Sequence, residues 1–264
     1  MVSRNIVMIL CDGSGNGLRS HLPNVAKIYM SLDRDDQQLV FYDAGYRSLW
    51  SYSSWCVMCR IGAQSVFQLA TGHGLRRKVC AFYEFLVENW RDDDKIFMIG
   101  FSRGACTVRM VASMIRTVGL LRREQRNLVD SAFNAYVGST EDADDCASDF
   151  RRRARSRCAA IEYVGLFDSV SSVLVPSQRG CIPRLERLRT LPHTLQNCVV
   201  RAWRDAIAVY ERLIMFTVDR VQSSAEGYRP IPWVVSTHAS QDIKEVWFAG
   251  YHTSAAGTPK PSRT

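Results

Sequence analysis

The sequence contains no apolar run of the ~20 residues that a bilayer-spanning helix needs. Its first apolar stretch, Ile6 to Leu10, is too short for the core of a signal peptide and leads directly into a glycine turn. These absences predict a cytoplasmic protein without a transmembrane segment, with non-classical export left open. The nine cysteines are an odd number without a secretion signal, so we expect reduced thiols rather than a disulfide framework.

Signatures of cofactor and metal binding are also lacking. The chain has neither a G-x-G-x-x-G fingerprint nor a lysine-bearing phosphate loop, which disfavours nucleotide binding. Cys56 and Cys59 form a C-x-x-C, but no second cysteine or histidine pair follows at zinc-ligand spacing. We therefore expect no cofactor and no metal. The net charge of +8, carried mostly by arginine, favours anionic partners.

Short apolar segments recur along the chain and have the continuous character of strands that are covered on both faces. Helical patterns lie between them, with apolar residues at three- and four-residue spacing over 79–90 and 111–118. Alternating strands and helices predict an α/β fold, a doubly wound and mostly parallel sheet of the α/β-hydrolase type. The predicted strands are 5–10, 38–44, 95–100, 160–167 and 243–250.

The length favours a single domain over residues 1–257, followed by a disordered polar tail over 258–264. Two intervals lacking predicted strands, about 119–159 and 176–240, are interpreted as helical cap insertions. Within the second, an apolar stripe over 195–216 predicts a helix. Within the first, the run "RRRARSR" at 151–157 either binds phosphate groups or forms a solvated helix with paired charges. The aromatic loop 46–60 either faces lipid as a lid or packs on the sheet edge.

A serine lies between two glycines where a buried strand gives way to an amphipathic helix. The motif is Gly100-Phe101-Ser102-Arg103-Gly104, a G-x-S-x-G in the context of a nucleophile elbow. Such a turn needs strained backbone angles at the serine, and flanking residues without Cβ let the helix approach the strand. The pattern predicts that Ser102 is a nucleophile at the carboxyl edge of the sheet, with a structural turn as the alternative.

A serine nucleophile needs a base and an acid that orients the base. In this fold the partners follow the serine as an acid and then a histidine, each after a strand. Asp168 follows the strand "YVGLF" directly, and His252 follows "EVWFAG" by two residues. The other four histidines do not follow a predicted core strand. The order predicts a Ser102, Asp168, His252 triad, although each partner alone could merely cap a backbone group.

An acyl-transfer site also needs N–H donors for the oxyanion. The expected donors are the backbone N–H of Arg103, at the start of the helix, and an N–H from the loop "CDGSGN" at 11–16, where Gly13 and Ser14 are the candidates. The same loop could equally be a glycine turn that leads into the helix near Pro23.

Several of these segments together resemble a known family. "IVMILCDGSGN", "LVFYDAG", the block from Gly72 to Ile115, "YVGLFDSVSSV" and "EVWFAGYHTSAAG" are similar to the uncharacterised α/β-hydrolase domain family (DUF2235-like) that includes the first lipase family of type VI secretion phospholipase effectors. The resemblance covers about residues 4 to 257. It implies a Ser-Asp-His triad at Ser102, Asp168 and His252, a "CDG" turn beside the nucleophile, and lipid-ester hydrolysis in the effector members.

The chain departs from the family pattern near the histidine. The family usually has an acidic residue two positions after this histidine and then glycines, where this chain has Ser254, Ala255 and Ala256. Asp205 and Tyr210 occupy positions where the family carries a histidine and an aspartate. These departures, together with the net charge of +8 and a chain that ends soon after His252, motivate a second hypothesis, a catalytically degenerate or truncated hydrolase-fold protein that acts as a binding module.

The first hypothesis is a serine hydrolase that cleaves a carboxylic ester, with a phospholipid as one candidate, through an acyl-enzyme. The expected partners are the ester or lipid substrate and an anionic membrane surface contacted peripherally, whereas nucleic acid is not expected. A small-ester esterase or thioesterase competes with the phospholipase within the same enzyme class.

Overall fold

The computed structural model describes residues 6–13, 22–45, 73–139, 145–169, 172–175, 184–187, 193–209, 220–223, 227–231 and 240–257. The predictions made for Ser14, the C-x-x-C, the aromatic loop 46–60 and the tail 258–264 lie outside these ranges. All statements about the structure below concern the described residues.

A six-stranded sheet forms the centre of the molecule, and two further strands form a separate pair. In chain order the strands are β1 (Ile6–Cys11), β2 (Gln38–Asp43), β3 (Lys95–Phe101), β4 (Ile161–Phe167), β5 (Ser172–Val175), β6 (Arg184–Arg187), β7 (Val200–Ala208) and β8 (Asp242–Phe248). The central sheet has the order β2-β1-β3-β4-β7-β8, and every neighbouring pair in it runs parallel, whereas β5 and β6 pair antiparallel.

Helices cover both faces of the sheet, because alternate residues of its central strands are apolar on both sides. The helices are α1 (Asn24–Ser31), α2 (His73–Asn89), α3 (Arg103–Val118), α4 (Val129–Gly138), α5 (Asp145–Ala154) and α6 (His252–Ala255), with a 3-10 helix at Arg123–Leu128. Val7 and Ile9 of β1 join the core beneath α2, α3 and α4, whereas Met8 and Leu10 join the smaller core beneath α1 and α6. This arrangement is the predicted doubly wound α/β fold.

The connection order creates a switch point in the sheet. From β1 the chain moves outward to β2 and then returns to β3 on the other side of β1. Ligands of open α/β sheets bind at such a point, outside the carboxyl ends of the strands. The carboxyl ends of β1 and β3 here are Cys11 and Phe101, so Gly13 and Ser102 lie at the switch point.

The five predicted strands are confirmed, but the predicted helix over 195–216 is wrong where β7 lies. Residues 200–208 pair with β4 on one side and β8 on the other, so the interval 176–240 contains a strand of the central sheet besides any insertion. Trp203, Asp205 and Ile207 are buried, and the residues between them are less buried, which is the two-residue period of a strand. The two-residue period is not visible in the sequence, because Asp205 is a polar residue at one of the buried positions. The apolar residues that remain have a three- and four-residue spacing.

Within the described ranges, no helix is both long enough and apolar enough to cross a membrane. The same ranges hold no cluster of three or more histidine, cysteine or acidic side chains that could bind a metal ion.

Candidate active site

The turn after β3 holds Ser102 in a strained conformation. Ser102 has φ 57° and ψ −122°, in a region that residues with a Cβ rarely adopt. Its N–H donates to the carbonyl of Phe167 at 2.9 Å, and its carbonyl accepts the N–H of Cys106 at 3.2 Å. These bonds tie the serine to the end of β4 and to the first turn of α3, so the strain is held by the surrounding backbone.

The two glycines of the motif allow α3 to lie against the strands. A Cβ at Gly100 would lie 2.6 Å from the Cα of Ala105, and a Cβ at Gly104 would lie 2.3 Å from the carbonyl oxygen of Cys11. Real Cβ contacts are not this short, so both positions require glycine in this geometry. The structure thus has the close helix-to-strand approach on which the nucleophile-elbow prediction depends.

Ser102, His252 and Asp168 lie in one chain of short contacts. His252 Nε2 is 2.7 Å from Ser102 Oγ, and His252 Nδ1 is 2.7 Å from Asp168 Oδ2. All three side chains are buried, with relative exposures of 4% for Ser102, 1% for Asp168 and 9% for His252. The geometry fits the tautomer whose Nδ1–H donates to Asp168, which leaves Nε2 to accept the serine O–H. A base so placed can remove the serine proton.

The backbone of β7 holds Asp168 in place. Asp168 follows β4 with φ 46°, and its N–H donates to the carbonyl of Ala206 at 2.8 Å. Its Oδ1, the carboxylate oxygen that does not face His252, accepts the N–H of Ala208 at 3.2 Å. Each carboxylate oxygen therefore has a donor, which orients the group toward the imidazole. Sequence analysis missed this clamp because β7 was interpreted as a helix.

His252 is fixed by the short helix α6 and by the N-terminus of α1. Ala255 and Ala256 are buried in the smaller core. The N–H of Asn24 donates to the carbonyl of Ala256 at 2.7 Å, and the Asn24 side chain donates to the carbonyl of Ala255 at 3.1 Å. Although this segment departs from the family pattern, it is packed and hydrogen-bonded at the residues that depart.

The ring of Phe101 packs against the imidazole of His252. The two ring centroids are 4.9 Å apart and the planes are inclined by 30°. Phe101 is the second residue of the G-x-S-x-G motif, so the residue before the serine buttresses the base that faces the serine. Such packing restricts the rotation of the imidazole and favours its contact with Ser102.

The predicted oxyanion donors are arranged unequally. Arg103 is the first residue of α3, where backbone N–H groups point out of the helix end. Gly13 is beside the serine, since a Cβ built on it would lie 3.1 Å from Ser102 Cβ. However, the N–H of Gly13 donates to Asp12 Oδ1 at 2.8 Å, and the hydroxyl of Tyr42 donates to Asp12 Oδ2 at 3.2 Å. Gly13 is close enough to act, but its N–H is already engaged.

Asp205 is a buried acid of β7 that sequence analysis noted only as a departure from the family. It pairs with Arg109 of α3, about two helical turns after Ser102, and both side chains are buried. Burial raises the pKa of Asp205 to about 7, an effect that the Arg109 guanidinium opposes and the carboxylates of Glu245 and Asp168 reinforce. The pair joins the helix after Ser102 to the strand that holds Asp168.

Comparisons with known proteins identify the family of the chain and two similar proteins. The family model described as "T6SS, Phospholipase effector Tle1-like, catalytic domain" matches residues 4–264. An uncharacterised protein of Saccharomyces cerevisiae, YEL023C, is 29% identical over 208 residues, which cover 73% of this chain and 30% of that protein. The chain thus spans about a third of the curated relative that it matches.

A solved structure was also found, that of the Tle1 effector bound to the VgrG spike of the type 6 secretion system. It is 16% identical, with a TM-score of 0.43 over 99% of this chain and 53% of the other.

Proposed function

The chain belongs to the family of T6SS Tle1-like phospholipase effector catalytic domains, and on that premise we propose that it is a serine hydrolase that cleaves a carboxylic ester of a phospholipid. The observation that carries the proposal is the chain of two 2.7 Å contacts from Ser102 through His252 to Asp168. The family description supports the lipid substrate, and the contacts support the chemistry.

In the proposed reaction, the Oγ of Ser102 attacks the acyl carbon while His252 Nε2 takes the serine proton. Asp168 keeps the imidazole oriented and balances the positive charge that it gains. His252 then gives this proton to the leaving alcohol, and an acyl-enzyme forms on Ser102. Water, deprotonated by the same histidine, attacks the acyl-enzyme. The bond from the acyl carbon to Ser102 Oγ then breaks, His252 returns the proton to Oγ, and the fatty acid is released.

The negative charge on the tetrahedral oxygen needs preorganised donors. The N–H of Arg103 supplies the first donor, assisted by the positive end of the α3 dipole. Gly13 supplies the second donor only after its N–H leaves Asp12 Oδ1, to which it is bound at 2.8 Å. On this proposal, formation of the oxyanion hole includes a small rearrangement of Asp12 and Gly13 when substrate binds.

The test is labelling of the purified chain with a fluorophosphonate, read by intact mass, beside hydrolysis of phospholipid vesicles and of a soluble acyl ester. The wild type is expected to take up one label, and Ser102→Ala is expected to take up none and to lose at least about a thousandfold in hydrolysis. His252→Ala should label far more slowly than the wild type.

Ser139→Ala is a matched control, because Ser139 is a buried serine at the end of α4 whose hydroxyl donates to the carbonyl of Tyr136 at 2.7 Å. It should label like the wild type. A folded wild type that neither labels nor hydrolyses any ester would overturn the proposal and favour a binding module. Hydrolysis of the soluble ester without the vesicle lipid would retain the serine chemistry and reject the lipid.

A further inference from the structure

A groove of about 360 Å³ lies at the amino-terminal edge of the sheet, far from Ser102. The groove is lined by the end of α2, by the turn before β3, by residues 122–124 at the start of the 3-10 helix, and by Arg157 shortly before β4. Ser102 follows the other end of β3, a strand of seven residues, so the groove and the serine are roughly 20 Å apart. The groove is therefore a separate site from the triad.

Four arginines line this groove, together with two glutamates. The arginines are Arg91, Arg122, Arg123 and Arg157, and the acids are Glu88 and Glu124. Glu88 is already engaged, since its Oε1 lies 2.7 Å from the guanidinium of Arg126 outside the groove. Arg157 Nη1 lies 3.5 Å from the carboxylate of Asp92, whereas Arg91, Arg122 and Arg123 make no ion pair within the described ranges. The groove thus presents more guanidinium groups than its carboxylates can neutralise.

One of the arginines is held rigidly against a tryptophan. The guanidinium of Arg157 lies 4.7 Å from the centre of the Trp90 ring, and its Nη2 donates to the carbonyl of Leu121 at 3.2 Å. The Trp90 indole N–H in turn donates to the carbonyl of Asp94 at 3.0 Å. Arg157 also retains a buried Nε without a hydrogen-bond partner in the described residues. A fixed guanidinium loses little conformational entropy when it binds an anion.

We propose that this groove binds a ligand with two or more phosphate groups. Guanidinium groups match phosphate oxygens with paired hydrogen bonds, and several such groups around one concave surface favour a multiply charged phosphate over a single carboxylate. The ligand is either a soluble polyphosphorylated molecule or the phosphorylated headgroup of a lipid. The proposal does not depend on the ester chemistry at Ser102.

Binding is tested first with pyrophosphate by titration calorimetry, with sulfate for comparison. Arg122→Ala/Arg123→Ala is expected to weaken pyrophosphate binding at least about tenfold, since each lost charged hydrogen bond is worth about 1.4 kcal/mol or more. Arg152→Ala/Arg153→Ala removes the same charge from α5, where these side chains are 75% and 82% exposed, and should weaken binding less than about twofold. Unchanged circular dichroism and unchanged fluorophosphonate labelling serve as folding controls for both variants.

The two ligand sources are separated by vesicle flotation. Vesicles containing bisphosphorylated phosphatidylinositol are compared with phosphatidylserine vesicles of equal surface charge. Flotation only on the first, lost in Arg122→Ala/Arg123→Ala, assigns the groove to a lipid headgroup. Pyrophosphate binding without flotation assigns it to a soluble phosphate. The proposal is overturned if both double variants affect pyrophosphate and vesicle binding equally, or if neither probe binds.

Discussion

Arg109 and Asp205 form an ion pair inside the core, with Arg109 Nη2 3.2 Å from Asp205 Oδ2 and side-chain exposures of 3% and 1%. Arg109 belongs to the helix that follows the serine, and Asp205 belongs to the strand whose backbone clamps Asp168. The pair therefore bridges the two elements that must keep their relative position for the proposed triad to form. Breaking such a buried pair on one side is costly, because the other charge stays buried.

We expect Asp205→Asn to change how stability depends on pH. The pKa of Asp205 is raised to about 7 in the folded chain, whereas an aspartate in the unfolded chain titrates near 3.8. A raised pKa gives stability that is full below about pH 4 and is lost as the pH rises towards 7. The free energy of unfolding of the wild type, measured in urea, should therefore fall relative to that of Asp205→Asn when the pH rises from about 4.5 to about 7.5, because Asp205 titrates over this range.

Asp242→Asn is the control for this experiment. Asp242 is exposed, and the hydrogen bond from Arg204 lowers the pKa of its carboxyl, so its titration lies below the window. Its pH dependence should match the wild type from pH 4.5 upward. Equal slopes for the wild type and Asp205→Asn would contradict the raised pKa of Asp205.

A second prediction concerns the acid of the proposed triad. Asp168→Asn keeps the oxygen that accepts the Ala208 N–H but presents an amide without charge to His252 Nδ1. The imidazole then loses the partner that selects its tautomer, and we expect hydrolysis to fall by about 10³- to 10⁴-fold with the thermal midpoint little changed. Steady-state kinetics with a soluble ester measure the loss. Asp130→Asn, at an aspartate 78% exposed on α4, should retain activity, and equal activities of the two variants would remove Asp168 from the proposed triad.

A third prediction compares two glycines in helices. Gly104→Ala should destabilise the chain by roughly 1–3 kcal/mol and displace Ser102, because the new methyl would lie 2.3 Å from the Cys11 carbonyl. Gly138→Ala meets nothing within 4 Å and should be stabilising or neutral. Urea unfolding and fluorophosphonate labelling rates distinguish the two. An unperturbed Gly104→Ala would mean that α3 and β1 are not in the close contact described.

The sequence was informative where a residue's role depends on its immediate neighbours. Continuous apolar runs located five strands, and the residues after their carboxyl ends included Ser102, Asp168 and His252. It was uninformative where a role depends on a distant partner. Asp205 can be buried because it pairs with Arg109 on a neighbouring helix. Arg109 is 96 residues away in the chain, so no local sequence pattern indicates the pairing. The apolar stripe over 195–216 therefore predicted a helix at residues that form β7 in the structure.

The turn after β1 shows that the availability of a backbone donor also depends on tertiary contacts. The glycines after β1 predicted backbone donors near the serine, and Gly13 is indeed beside it. The engagement of its N–H by Asp12 could not be predicted, because it depends on the side-chain torsion of Asp12 and on the Tyr42 hydroxyl from β2. Which donors are available at a turn is decided by tertiary contacts rather than by glycine spacing.

His252 follows β8 at the start of α6, and this position has a consequence for how the molecule would unfold. Within the described part of the chain, β8 pairs with β7 alone, and Val246 and Trp247 near its end are 61% and 50% exposed. Such an edge opens at lower free energy than the central strands do. The proposed base therefore follows a less protected strand than the proposed nucleophile does. We therefore expect mild denaturant to abolish ester hydrolysis while the amide protons of β1, β3 and β4 are still protected from exchange. Loss of the proposed activity and global unfolding would then occur at different denaturant concentrations.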